Sequence, residues 1–127
     1  MSEKKLYQDF KEVWPFYIER IEPKNEIGIP DCHLVNKRKV DIFLELKYMN
    51  KKFKEAVLPI KKTQFIWHAK YSGNNSYMLF QVEDDYFLFK RSSVIFLKGR
   101  VNYSKFIELS IANTKRIEVI VDILRNV

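Results

Sequence analysis

Two side chains of opposite charge, Glu45 and Lys47, lie at the end of an apolar segment in the first half of the chain. Residues 40–47 are rich in branched and aromatic side chains, a composition that predicts a β-strand. Side chains alternate between the two faces of a strand, so Glu45 and Lys47 share a face with Phe43. A carboxylate beside an ammonium group suits phosphoryl transfer, but such a pair is also ordinary on a solvated sheet face.

A second carboxylate, Asp31, begins the preceding apolar segment, residues 31–35. If this segment pairs with the strand at 40–47 as a hairpin, Asp31 and Glu45 lie at the same end of adjacent strands. The backbones of adjacent strands are about 4.8 Å apart. Two carboxylates so placed can share a divalent cation, whose oxygen ligands lie at about 2.0–2.6 Å. The backbone carbonyl of Leu46 is a natural further ligand.

The remaining patterns indicate the elements that must position these residues. Apolar spacing predicts a first helix, and Pro15 ends or kinks it. The expected order is a helix at 3–14, an extended segment at 16–22, a connection at 23–30, the hairpin with a turn at 36–39, a lysine-rich stretch at 50–62, a helix at 61–71 ended by 72–75, strands at 77–82 and 86–90, and a mainly helical last third, 92–127, with room for one strand.

Composition sets the broad class. The chain has 127 residues, 46% of them hydrophobic, with only three glycines and four prolines, so we expect a single folded domain, 1–127. The net charge of +7 favours a polyanionic partner, although a lysine-rich surface alone would produce it. The single cysteine, Cys32, excludes an internal disulfide. No apolar run is long enough for a membrane span, and no signal peptide is recognisable, so a cytoplasmic location is expected.

The spacing of these motifs resembles a known family. Gly28-Ile29-Pro30-Asp31, a thirteen-residue gap and then Glu45-Leu46-Lys47 resemble the signature of the PD-(D/E)XK nuclease superfamily. The chain is most similar to the VRR-NUC and Holliday-junction-resolvase-like branch, including its phage-encoded members. Two further segments support this branch: the helix with Gln64-Phe65-Ile66-Trp67-His68 and the lead-in Arg20-Ile21-Glu22.

The resemblance implies an α/β fold with a restriction-endonuclease-like core, in which helices flank a central mixed β-sheet. It implies that Asp31 and Glu45 hold Mg²⁺ or Mn²⁺, and that Lys47 orients or helps to deprotonate the attacking water. This agrees with the physical requirements of phosphodiester cleavage, which needs a polarised phosphoryl group and a cation near the developing charge.

Many members of this family add a glutamate from the first helix. Glu3 precedes Leu6 and Phe10 by three and seven residues, so it lies on the inward face of the predicted helix. Glu12 falls on the opposite face, and Glu22 lies outside the helix. Glu3 is the preferred candidate and Glu22 the second, while Glu3 as a solvated terminal charge is an equal alternative.

The helix at 61–71 contributes two polar candidates. Gln64 matches the glutamine of the family and is expected to bind a phosphate or a water on the metal. His68, one turn later, is a candidate phosphate contact, although a half-exposed histidine on a helix is more often only structural, and His33 shares the strand face of Asp31 and could lie near the metal. Phe65 and Trp67 are expected to fill the core.

A set of lysines flanks the proposed site in sequence. Positive charge there would bind DNA phosphates without reading base sequence, although a solvated loop explains it equally well.

The expected function is a metal-dependent, structure-selective DNA endonuclease, with branched DNA or Holliday junctions as substrates. Symmetry favours a homodimer, and a phage-encoded protein would act in the bacterial host cell. The alternative is a non-catalytic nucleic-acid-binding accessory protein. The expected DNA contacts are Lys51, Lys52, Lys54, Lys61, Lys62 and His68.

Overall fold

A computed structural model of the chain describes residues 2–21, 30–71 and 75–127. The helices are α1 (Glu3–Val13), α2 (Lys62–Lys70), α3 (Arg91–Val94), α4 (Tyr103–Leu109) and α5 (Ile117–Arg125). The strands are β1 (Ile18–Arg20), β2 (Cys32–Val35), β3 (Asp41–Met49), β4 (Glu55–Val57), β5 (Ser76–Val82), β6 (Asp85–Lys90), β7 (Arg100–Asn102) and β8 (Ala112–Thr114).

A six-stranded sheet in the order β1-β2-β3-β5-β6-β8 forms the centre of the molecule. Neighbouring strands of this sheet run antiparallel, except β3 and β5, which run parallel. Strands β4 and β7 pair in a separate antiparallel ribbon. The chain between β3 and β5 crosses over through β4 and α2, as a parallel pair requires. The predicted mixed sheet with flanking helices is confirmed.

The two faces of the sheet pack against different helices. One face, which includes Leu44 and Leu46, packs against α1 and α5. The other, which includes Met78 and Phe80, packs against the 90–109 region and Phe65 of α2. The alternation predicted for β3 is confirmed, because Leu44 and Leu46 enter the first core while Glu45 and Lys47 lie on the second face.

The β2–β3 hairpin is confirmed, and a buried asparagine fixes its turn. The Asn36 Oδ1 atom accepts hydrogen bonds from the Arg38 and Val40 N–H groups at 2.9 and 3.1 Å. Its amide donates to carbonyls near the C-terminus, those of Leu124 and Val127. Asn36 therefore ties the register of the hairpin to the last helix.

Helix α1 begins where the sequence predicts. The Ser2 Oγ atom accepts a hydrogen bond from the Lys5 N–H at 3.1 Å and caps the first turn. Leu6 and Phe10 are fully buried against the sheet. This anchoring places Glu3, in the first turn, at one end of the sheet.

Other expectations need correction. The last third contains two short strands, β7 and β8, rather than one, and the lysine-rich stretch contains the strand β4. Both β4 and β7 are three residues long and depend on pairing with each other, so local patterns do not reveal them. The expected connection at 23–30 and the helix end at 72–75 fall mostly outside the described residues. Within the described ranges, no helix is long and apolar enough to cross a membrane.

Candidate active site

Asp31 and Glu45 come together where β2 begins beside the middle of β3. Cys32 pairs with Leu44, so the residue before Cys32 lies beside the residue after Leu44. The Leu46 N–H donates to the Asp31 Oδ2 atom at 2.9 Å. Since the N–H and C=O of one strand residue point to the same side, the Leu46 carbonyl is also directed toward Asp31.

Glu45 has two polar neighbours beyond Asp31, one on its own strand and one on α2. Its Oε2 atom lies 3.5 Å from the Lys47 Nζ atom and accepts a hydrogen bond from the Gln64 Nε2 atom at 3.1 Å. Glu45 is 1% exposed, Lys47 5% and Gln64 8%. The Gln64 Oε1 atom accepts from the Lys61 N–H at 2.8 Å at the start of α2. One side chain thus caps the helix and orients the carboxylate.

The electrostatics of Glu45 are unusual for a carboxylate. Burial, followed by the neighbouring Asp31, raises the pKa of Glu45 to about 9 against the opposing effect of Lys47. Its Oε1 atom is buried and has no hydrogen-bond partner among the described residues. A buried carboxylate oxygen without a partner, beside a second carboxylate, is the environment that a bound cation would stabilise.

These donors fit a small hard cation. The described residues contain no group of three or more histidine, cysteine, aspartate or glutamate side chains that could hold a metal ion. Mg²⁺ commonly binds through one or two carboxylates and keeps several waters. Asp31, Glu45 and the Leu46 carbonyl meet that requirement.

Glu3 approaches the same group of residues from α1. Partial burial raises the pKa of Glu3, and it is near enough for Lys47 to lower this pKa and for Asp31 to raise it. Its side chain stays largely exposed, at the border of the site. The charges of Asp31 and Lys47 therefore act on Glu3, whereas Glu12 is exposed on α1 and Glu22 lies outside the described residues.

The two histidines both have partners within the protein. His68 is 1% exposed rather than half-exposed, and its Nδ1 atom lies 3.2 Å from the Ser76 Oγ atom. Burial, followed by the charges of Arg91 and Lys47, lowers the pKa of His68 to about 4. A neutral, buried imidazole suits the structural role that was the alternative to a phosphate contact. The His68 side chain lines a cavity of about 280 Å³ between α2 and α3.

His33 lies on the face of Asp31 but is engaged elsewhere. Its Nδ1 atom lies 3.1 Å from a carboxylate oxygen of Glu19, and its Nε2 atom lies 2.8 Å from one of Asp41. Both ring nitrogens have partners, so neither is available to a cation beside Asp31.

The lysines divide into two groups. Lys61 and Lys62 lie at the start of α2, and the charge of Lys61 reaches Glu3. Lys51, Lys52 and Lys54 follow the C-terminal end of β3, which ends two residues after Lys47. Lys52 pairs with Asp85 at 3.4 Å.

Sequence reasoning missed a row of aromatic rings beside the site. Trp67 and Tyr71 of the α2 region stack with ring centroids 4.6 Å apart, and both approach Phe43 of β3. Trp67 is half-buried rather than core. The four-residue spacing of Trp67 and Tyr71, and the shared strand face of Phe43 and Glu45, were the signals available.

Comparison with solved structures identifies the architecture. The chain is similar to Hjc of Archaeoglobus fulgidus, a Holliday junction resolvase from an archaeal hyperthermophile, with a TM-score of 0.57 and 12% sequence identity. The match covers 94% of this chain and 92% of that chain. The two chains share a fold. No family model and no curated protein sequence matches the chain.

The resolvase-like fold is the restriction-endonuclease-like core that the sequence resemblance implied. At this level of identity the likeness concerns the fold alone. Within this fold, Asp31, Glu45 and Lys47 lie close together, and Gln64 of α2 contacts Glu45.

Proposed function

We propose that residues 1–127 form a metal-dependent DNA endonuclease domain of the PD-(D/E)XK superfamily, in its VRR-NUC and Holliday-junction-resolvase-like branch. The observation that carries this proposal is the contact of Asp31 with the Glu45–Leu46 segment, with Lys47 beside Glu45, in a resolvase-like fold. The positive net charge of +7 suits a DNA substrate.

Asp31, Glu45 and the Leu46 carbonyl would hold Mg²⁺ or Mn²⁺. The bound cation would polarise the phosphoryl group and lower the pKa of a water molecule. Gln64 keeps Glu45 oriented through its Nε2 hydrogen bond. Glu3, whose pKa responds to the charge of Asp31, would accept a hydrogen bond from the attacking water.

Hydrolysis joins the water oxygen to phosphorus and breaks the bond from phosphorus to the leaving oxygen. Negative charge grows on the phosphoryl oxygens as this happens. The Lys47 ammonium group donates hydrogen bonds and opposes that charge, in a position where little water screens it. Because Lys47 and Glu45 share one strand face, the strand itself holds the ammonium group near the cation ligands.

The proposed substrate is branched DNA, of which the four-way junction is the most extensively branched example. Cutting a junction into two duplexes requires two nicks, so the proposed active form is a homodimer with one site in each subunit. Nicks placed symmetrically across the junction would identify this form.

The decisive experiment incubates the protein with labelled four-way junction, flap, single-stranded and duplex DNA. Each is tested with Mg²⁺, with Mn²⁺ and with EDTA. We expect metal-dependent cleavage that Asp31→Asn lowers by at least about 100-fold, because loss of one charge-stabilising group typically has effects of this size. The asparagine oxygen still accepts from the Leu46 N–H, so the fold should persist.

Asp122→Asn is the matched control, since Asp122 is exposed on α5 and is not part of the site. It should leave cleavage unchanged. An Asp31→Asn variant as active as the wild type would refute the assignment. Binding of DNA without cleavage under either metal would instead support the non-catalytic accessory protein.

A further inference from the structure

Five rings form a continuous row that begins beside the candidate active site. We call this row the aromatic surface and define it by its residues. Successive ring centroids lie 6.0 Å apart between Tyr17 and His33, 5.3 Å between His33 and Phe43, and 5.7 and 5.4 Å from Phe43 to Trp67 and Tyr71. The members are Tyr17, His33, Phe43, Trp67 and Tyr71.

The aromatic surface shares two elements with the candidate site. Phe43 lies two residues before Glu45 on the same face of β3, a distance of about 7 Å along the strand. Trp67 lies three residues after Gln64 on α2, and Gln64 contacts Glu45. A DNA strand whose phosphate reaches the carboxylates would therefore have its next nucleotides within reach of these rings.

The exposure of these rings differs from that of the core aromatics. Phe10, Phe80 and Phe106 are fully buried, as expected of rings that only fill space. Tyr17 is 53% exposed, and the other four members are half-buried. Packing of α2 on the sheet accounts for the buried edges of Phe43 and Trp67, but it leaves part of each ring open to a ligand.

Charged groups of both signs lie beside the aromatic surface. Glu19 and Asp41 are exposed acidic groups that hydrogen-bond to His33, and Glu19 also accepts a hydrogen bond from the Tyr17 hydroxyl group. Burial lowers the pKa of His33, but its hydrogen bonds to Asp41 and Glu19 outweigh that effect and leave the pKa raised. The exposed Lys70 precedes Tyr71 and adds positive charge at the other end.

We propose that the aromatic surface binds unpaired nucleotides of the substrate by stacking against their bases. Bases offer their faces to aromatic side chains only when they are not stacked in a duplex, and such stacking tolerates any base sequence. The preferred substrates are then single strands and branches with unpaired nucleotides next to the cleaved bond. This inference rests on the proposed nuclease function and names the substrate class of that site.

Tryptophan fluorescence tests the proposal without cleavage. The chain has two tryptophans, and Trp14 is buried while Trp67 belongs to the aromatic surface. In EDTA, addition of a thymidine oligonucleotide should quench the fluorescence of the wild type and leave Trp67→Leu unquenched. An abasic oligonucleotide of equal length carries the same phosphates and should cause little quenching.

Tyr71→Leu keeps Trp67 as the reporter and covers the case in which Trp67→Leu does not fold. It should weaken oligonucleotide binding roughly tenfold, as expected for loss of one stacked base. Phe96→Leu is the matched control, because Phe96 is an exposed ring outside the aromatic surface, and it should bind like the wild type.

The outcomes separate this inference from the proposed function. Equal quenching by the abasic oligonucleotide, or no quenching by a thymidine oligonucleotide, would overturn the inference. Cleavage of DNA without quenching would retain the nuclease and reject the aromatic surface as its binding site. Base-dependent quenching without cleavage under any metal would retain base stacking and reject the nuclease.

Discussion

Glu45 is the residue whose surroundings most constrain the candidate site. It is buried, one carboxylate oxygen has no hydrogen-bond partner within the described part of the chain, and Asp31 lies beside it. These features raise the pKa of Glu45 to about 9, so the metal-free protein holds it protonated at neutral pH. A cation bound by both carboxylates would reverse that preference.

Glu45→Gln should therefore separate metal binding from folding. Glutamine resembles the protonated carboxyl group but need not bind a proton on folding, so in EDTA at pH 7 we expect the variant to fold and to be more stable than the wild type by up to about 3 kcal/mol. Mn²⁺ at about 100 times its dissociation constant should stabilise the wild type by about 2.7 kcal/mol and the variant by almost nothing. Denaturant unfolding with and without Mn²⁺ measures both quantities.

Glu12→Gln removes one carboxylate from an exposed position on α1 and serves as the control. It should keep the full response to Mn²⁺. Equal stabilisation of the Glu45→Gln protein and the wild type by Mn²⁺ would show that Glu45 is not a ligand.

At the scale of elements, the β2–β3 hairpin determines whether the carboxylates meet. Slippage of the pairing by one residue would move Glu45 to the opposite face of the sheet. Asn36 opposes such slippage, because its side chain holds the turn and contacts the C-terminal carbonyls.

Asn36→Ala should destabilise the protein by about 3 kcal/mol. The side chain is buried and makes four hydrogen bonds, and its removal leaves backbone groups without partners. Lys37→Ala, at an exposed position in the same turn, should change stability by no more than about 0.5 kcal/mol. Denaturant unfolding compares the two, and equal losses would show that Asn36 does not hold the turn.

Helix α2 makes stability depend on pH through His68. The pKa of His68 falls from 6.5 to about 4 on folding, so the unfolded chain binds a proton more readily than the folded one. The stability that depends on a neutral His68 is fully present above pH 6.5 and is lost as the pH falls from 6.5 to 4. The loss amounts to about 3 kcal/mol in the free energy of unfolding.

The pKa of Glu45 is raised on folding, so its effect has the opposite sign between pH 4.5 and 9. The informative quantity is therefore the difference in unfolding free energy between the wild type and His68→Asn. We expect the wild type to lose about 3 kcal/mol relative to this variant between pH 7 and pH 4, measured by denaturant unfolding. Parallel pH profiles for the two proteins would contradict the assignment.

At the scale of the whole molecule, the net charge of +7 predicts DNA binding that weakens with salt. Lys61 and Lys62 lie at the start of α2, the helix whose Gln64 contacts Glu45, whereas Lys51, Lys52 and Lys54 follow the C-terminal end of β3. We expect a DNA strand at the carboxylates to pass the first group.

Replacing both Lys61 and Lys62 with Gln should weaken binding at low salt for every DNA sequence. Each phosphate contact contributes about 0.9 to the slope of log affinity against log salt, so the slope should fall by up to about 2. Fluorescence anisotropy of labelled DNA between about 50 and 200 mM salt measures it. The pair Lys11→Gln and Lys98→Gln removes the same charge from exposed positions elsewhere and should keep the slope. Equal loss in both would indicate diffuse attraction only.

The sequence by itself determined the hairpin that brings Asp31 to Glu45. Alternation along β3 and a short polar turn are local properties, because they follow from backbone geometry within about fifteen residues. Local patterns also determined α1, α2 and the β5–β6 pair. The family resemblance supplied the restriction-endonuclease-like fold, and comparison with a solved structure supports it.

Tertiary structure decided what lies around that hairpin. The contact of Gln64 with Glu45, the approach of Glu3 and the burial of His68 all depend on how helices pack on the sheet. The aromatic surface and the β4–β7 ribbon join segments distant along the chain. Such contacts form only when long-range burial compensates for ordering the chain between them, so no local pattern specifies them.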